Sequence, residues 1–168
     1  MKKLFLTLVI AFAGILSANA QVWIGGSASA VANEHHKGFT VAPEIGYSIP
    51  STKWTVAVAA NYAYDNYDAF LGNVDVNNFI LSPYVRYSVC NIEKFAMFLD
   101  LTGDFGLSGH DGYRVGLQPG IAWMPTKHWT AAFRFAFIGY NKCGFYGEEG
   151  FNMNFATSAP AFGLYYNF

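Results

Sequence analysis

Charge is what this chain has least of. Asp, Glu, Lys and Arg make up 12% of its 168 residues, against about 25% in an average protein. Bases are few as well, ten Lys and Arg against eleven acids, for a net charge of −1. Scattered as they are, they lack the basic footprint a nucleic-acid binder requires. After residue 20 there is no apolar run of 18 residues, which excludes a helical membrane protein. What is abundant is grease: 53% of residues are apolar and 18% aromatic, which excludes disorder. The length suits one domain. The composition is that of a membrane protein without a helix to span the membrane.

Residues 1–20 read as a secretory signal peptide. Lys2 and Lys3 precede the apolar stretch Leu4–Ile15, and Ser17-Ala18-Asn19-Ala20 supplies an A-x-A cleavage site. The apolar stretch is too short for an anchoring helix. The mature chain is expected to begin at Gln21; without a Cys there, no lipid-modified N-terminus is expected. It then carries eight bases against eleven acids, a net −3.

Residues 21–168 form one domain in this reading, and alternation with period two dominates it. Phe95, Met97, Leu99 and Leu101 alternate with Ala96, Phe98, Asp100 and Thr102. Trp129, Ala131, Phe133, Phe135 and Phe137 alternate with Thr130, Ala132, Arg134 and Ala136. Eight strands are predicted, at 22–32, 38–49, 53–66, 76–89, 95–107, 113–124, 129–140 and 155–168. A repeat accompanies them: Val41-Ala-Pro43-Glu-Ile45-Gly-Tyr47, Leu81-Ser-Pro83-Tyr-Val85-Arg-Tyr87, Leu117-Gln-Pro119-Gly-Ile121-Ala-Trp123, and a weaker copy at Ser158–Leu164 with Pro160. The copies fall on strands 2, 4, 6 and 8, one per strand pair. Proline cannot donate to a ladder, so four at matching places predict a recurring irregularity. Connections alternate too. Those at 50–52, 90–94 and 125–128 are short, while residues 67–75 and 141–154 are longer and polar. That is the pattern of an outer-membrane barrel.

Charge placement decides which face points out. All three arginines, Arg86, Arg114 and Arg134, fall within strands, as do Glu44, Asp100 and Asp104, whereas every mature lysine falls in a loop or turn. The other strand faces are apolar, as in Phe39, Val41, Pro43, Ile45 and Tyr47. Turning an Arg towards hydrocarbon costs about 2–4 kcal/mol at the bilayer midplane. The six charges are therefore expected inside, apolar side chains outside. An eight-stranded barrel is just wide enough to be filled by side chains, so paired charges should form a plug rather than a pore. Asp104 should pair with Arg114 across a hairpin, and Asp100 should share a depth with Arg134. Glu44 and Arg86 should lie nearer the short-turn end. Trp23, Trp54, Trp123 and Trp129 all fall at that end and are expected to form an aromatic girdle, with tyrosines marking the other.

The leader, the start Gln21-Val22-Trp23, the segments Val41–Tyr47, Leu81–Val89 and Gly116–Trp123, and the ending Phe162-Gly-Leu-Tyr-Tyr-Asn-Phe168 together resemble the small outer-membrane β-barrel family common in Bacteroidetes, which is similar to OmpX- and OmpA-type barrels. The resemblance spans the mature chain. It implies an all-β fold, an eight-stranded antiparallel up-and-down transmembrane barrel, with termini in the periplasm and four loops outside. It also implies an assembly signal at Phe162, Leu164, Tyr166 and Phe168, read by the barrel-assembly machinery. It carries no firm activity.

Expected partners are outer-membrane lipid, lipopolysaccharide and the assembly machinery, with no nucleic acid. The chain is expected to be monomeric, with no cofactor, metal or catalytic residue. Adjacent His35 and His36 point apart, a poor start for a metal site. Ser108 near His110-Asp111 is the sole candidate for hydrolytic chemistry, and a glycine-flanked turn explains it equally well. A small-solute channel, a lipid A-modifying barrel enzyme and a soluble lipocalin-like binder are the alternatives. Cys90 in a short turn and Cys143 in an opposite loop are separated by a lipid band of about 25 Å, so no disulfide between them is expected.

Overall fold

The computed structural model describes residues 21–32, 36–69, 72–108, 112–142, 149–154 and 161–168. The leader, His35, His110, Asp111, Cys143, Glu148 and the fourth proline at 160 lie outside the described residues. The described residues form ten strand segments: β1 Gln21–Ala32, β2 His36–Ser48, β3 Trp54–Ala69, β4 Gly72–Ile92, β5 Phe95–Ser108, β6 Tyr113–Trp123, β7 Trp129–Arg134, β8 Phe137–Lys142, β9 Gly150–Asn154 and β10 Ala161–Asn167. Each pairs antiparallel with its chain neighbour from β1 to β6, and β6 pairs with both β7 and β8. Then β10 pairs with β7 on one side and β1 on the other, closing the ring. β7 with β8 form the seventh stave, β9 with β10 the eighth. The result is a closed eight-stranded up-and-down barrel.

Two boundaries differ from the sequence reading. Residues 67–75 are not an open loop: β3 and β4 stay paired up to Ala69↔Gly72, past the end of the β5 ladder at Phe79. A ladder is made by backbone groups, so residues whose side chains read as loop can still carry it. β4 also runs on to Ile92, and the turn is reduced to Glu93-Lys94, which places exposed Cys90 at a strand end. Glu93 takes φ 47°, the left-handed conformation this tight turn demands.

The seventh stave is the other difference. It is broken after Arg134, and Ala136 and Phe137 are both buried, so the alternation slips by one residue. Phe137, expected on the outer face with Phe133 and Phe135, points inward. The break sits opposite Pro119: between Gly120↔Arg134 and Leu117↔Ile138 the seventh stave has one residue more than β6. That extra residue is a β-bulge. Phe135 N–H still donates to the Pro119 carbonyl at 3.3 Å.

Every described proline of the repeat behaves alike. Pro43, Pro83 and Pro119 are in register on one side, with Gly26, Val58 and Leu99. On the other side the ladder skips: from Val41↔Tyr62 to Glu44↔Ala59, from Leu81↔Phe105 to Tyr84↔Thr102, and at the bulge beside Pro119. The missing N–H always faces the following stave. This is the physical content of the sequence repeat.

Candidate functional site

The polar interior is the place to look for function. In β5 the even residues Ala96, Phe98, Asp100, Thr102 and Asp104 are buried, while Met97, Leu101 and Phe105 are exposed outside. The same parity buries Glu44 on β2, Arg86 on β4 and Arg134 on β7. Strand alternation thus sends all these charges to one narrow lumen.

They form two networks. In the larger, Arg86 lies directly across from Asp100 and donates through Nε and Nη2 at 2.7 and 2.8 Å, a bidentate fork. The second Asp100 oxygen also accepts from Arg134 Nε at 3.0 Å. Arg134 then reaches Glu44 through Nη1 and Nη2 at 3.2 and 3.1 Å. Glu44 is saturated further by Ser27 Oγ at 2.5 Å, Tyr84 OH at 2.6 Å and Tyr165 OH at 3.3 Å. The Arg86 guanidinium stacks 3.7 Å from the Phe98 ring centroid. In the smaller network Asp104 faces Arg114 in register and accepts from its Nε at 2.8 Å, with Thr102 Oγ1 donating at 3.1 Å. Arg114 lies 4.3 Å from the Phe137 centroid.

Three positive and three negative groups thus neutralise one another with all six carboxylate oxygens hydrogen-bonded, which is the condition for burying them. Glu44 and Arg86, which strand counting puts nearer the short turns, join the same network as Asp100 and Arg134. Tilted strands and long guanidinium arms erase a difference of a few residues. Asn78 is a contrast: it is buried and its Oδ1 has no hydrogen-bond partner among the described residues.

The girdle needs one correction. Trp54, Trp123 and Trp129 are exposed on the outer face, but Trp23 is 5% exposed and points inside. It meets Tyr165 edge to face at 4.8 Å and fills the space over Gly46, where a Cβ would overlap its ring. Parity decides this, because Val22 and Ile24 take the outer positions beside it. Phe162, Leu164 and Phe168 are exposed outside, and Tyr166 packs between Trp129 and Phe168.

The interior residues that patterning left unassigned are Ser27, Tyr84, Phe98, Tyr165 and Phe137. For Tyr84 and Phe98 the signal was available, since each shares the parity of a charge on its own strand, Arg86 and Asp100, whereas β1 and β10 carry no charge to mark the inward face of Ser27 and Tyr165. Phe137 was hidden by the bulge. Chemically, Ser27 is a hydroxyl beside a carboxylate, but that carboxylate, Glu44, is itself neutralised by Arg134 and held by Tyr84 and Tyr165. Ser108 is exposed at the end of β5. Among the described residues no three His, Cys, Asp or Glu side chains converge as a metal site.

No family model and no curated protein matches the chain. A solved structure does. The crystal structure of the outer membrane protein OprG from Pseudomonas aeruginosa superposes with a TM-score of 0.51 at 11% identity, covering 90% of this chain and 96% of that one. The likeness is one of fold. It extends over nearly the whole of both chains, so the barrel here and the barrel of OprG share an architecture while their side chains differ almost throughout.

Proposed function

We propose that this chain is an integral outer-membrane β-barrel protein with a plugged interior and a structural or surface-interaction role, not a catalytic one. The observation that carries the reading is the inverted partition of side chains. Six strand charges are neutralised in the lumen, while Ile45, Met97, Leu101, Phe105, Ile121 and Leu164 stand exposed around the wall. An apolar belt of that extent is an aggregation liability in water and a match for hydrocarbon. The outward Trp54, Trp123 and Trp129 mark one membrane interface. The likeness to OprG supports an outer-membrane location.

In this reading residues 1–20 are removed on export, and the termini and short turns lie in the periplasm with the longer connections outside. The outward row Phe162, Leu164, Tyr166 and Phe168 engages the barrel-assembly machinery, and the surrounding partners are phospholipid and lipopolysaccharide. The resemblance to small Bacteroidetes barrels of the OmpX and OmpA type favours a monomer without cofactor.

Reconstitution tests this. Purified protein should fold only in detergent or lipid, with heat-modifiable gel migration, and should give no flux of small solutes into vesicles. Solute flux at rates well above protein-free vesicles would replace the plugged reading with a channel. Cooperative folding without amphiphile would remove the membrane altogether.

A further inference from the structure

Once the interior is neutral, the remaining charge is split between the two ends. The short-turn end carries Lys53, Lys94 and Lys127 against Glu93, a net +2. Among the described residues the long-loop end carries Asp65, Asp68, Asp75 and Glu149 against Lys37 and Lys142, a net −2. The three lysines are not scattered. Each of the three short turns holds one, and each precedes an outward aromatic by one or two residues: Lys53-Trp54, Lys94-Phe95 and Lys127-His128-Trp129. All three lysines are exposed, and Trp54, Phe95 and Trp129 are 48%, 59% and 44% exposed on the outer face.

The turns hold these pairs in place. Lys53 Nζ lies 3.5 Å from the Val89 carbonyl and 5.9 Å from the Tyr87 ring centroid, with Trp54 packed against that ring at 4.7 Å. The Lys94 carbonyl accepts from Met124 N–H at 2.7 Å, next to the rung Phe95↔Trp123. In the third turn Thr126 Oγ1 accepts from the amides of His128 and Trp129, and His128 stacks on Tyr166 at 5.7 Å.

We infer that these three Lys–aromatic pairs form a ring of headgroup sites for anionic phospholipid in the leaflet on the short-turn side. The chemistry is complementary. The aromatic ring sits at headgroup depth, where its amphipathic character belongs, and the ammonium beside it is a compact point charge for a phosphate. A lysine near an anionic surface gains about fivefold in apparent binding. A phospholipid with net negative charge is favoured over a zwitterionic one, whose amine opposes the lysine. The inference rests on the outer-membrane reading, and its test separates the two.

The experiment inserts the full mature chain into nanodiscs of phosphatidylcholine containing one-third phosphatidylglycerol, then counts retained lipids by native mass spectrometry. Wild type should retain phosphatidylglycerol several-fold above its bulk share, and excess salt should reduce this. The variant K53Q/K94Q/K127Q should lose the enrichment, while K37Q/K142Q at the opposite end should keep it. Both variants should fold in pure phosphatidylcholine, judged by heat-modifiable migration. Absence of enrichment in wild type, or its persistence in the triple variant, overturns the inference and leaves the barrel reading standing. Failure of wild type to insert into any bilayer overturns both.

Discussion

Arg134 is the side chain on which the interior turns, because it alone bridges Glu44 and Asp100. Replacing it with Met leaves two carboxylates buried beside one remaining guanidinium. Removing one partner of a buried pair costs about 3–5 kcal/mol, so Arg134→Met should lower the denaturant midpoint by a corresponding amount in lipid. Adding Glu44→Gln should recover part of the loss; a double variant no better than the single would show that the charges are not coupled. A second residue-scale test concerns Trp23 and Gly46. Gly46→Val should overpack the floor of the lumen, where such insertions cost about 1–3 kcal/mol. Combined with Trp23→Leu the penalty should shrink, and additive losses would contradict the contact.

At the scale of elements, β4 runs on past the end of its β5 ladder at Phe79, while β3 beside it stays paired with β2 up to Tyr67. Above the level of Tyr62, cross-strand side chains of the β3–β4 hairpin are tied at the outer face: Asp75 accepts from Asn66 Nδ2 and Tyr64 OH, both at 2.7 Å. These bonds, the Asn66 amide first, hold the Asp75 carboxyl below its ordinary range. A depressed carboxyl stabilises the ordered hairpin above the ordinary aspartate value of about 4 and stops doing so as pH falls through its lowered value. Protection of the paired hairpin amides, taken relative to the intrinsic exchange rate at each pH, should therefore be high at neutral pH and lower in acid, and Asp75→Asn should remove that pH dependence. An unchanged acid response in Asp75→Asn would assign it to another group. This hairpin also shows where sequence reading stops. Alternation marked the staves because each has one apolar and one polar face. At 67–75 polar and apolar residues follow no period-two alternation, so the contrast that signals a strand is missing although the ladder continues. The bulge at Ala136-Phe137 escaped for a different reason. Phe135 and Phe137 look alike to a period-two pattern, and the partner that forces the slip, Pro119, is distant in sequence. The charged interior was legible, since arginine inside an apolar strand has few places to go. Its aromatic half was not, because Trp23 and Tyr165 are as apolar as the outward residues beside them.

For the molecule as a whole, one partition accounts for the composition. A chain with 12% charge suffices because charge covers only the ends and the lumen, and the wall between them needs none. The lumen is neutral, and the ends differ in sign. In the proposed membrane setting the exposed apolar wall meets hydrocarbon while the even positions of β5 stay inside a closed plug. A nitroxide scan of Met97 to Phe105 in vesicles, one site at a time in a background with both cysteines replaced by Ser, tests it most directly. Labels at 97, 99, 101, 103 and 105 should be accessible to oxygen and shielded from a water-soluble relaxing agent. Labels at 98, 100, 102 and 104 should be shielded from both, in strict alternation. Uniform access of the water-soluble agent along the strand, or oxygen access at the even positions, would contradict the account.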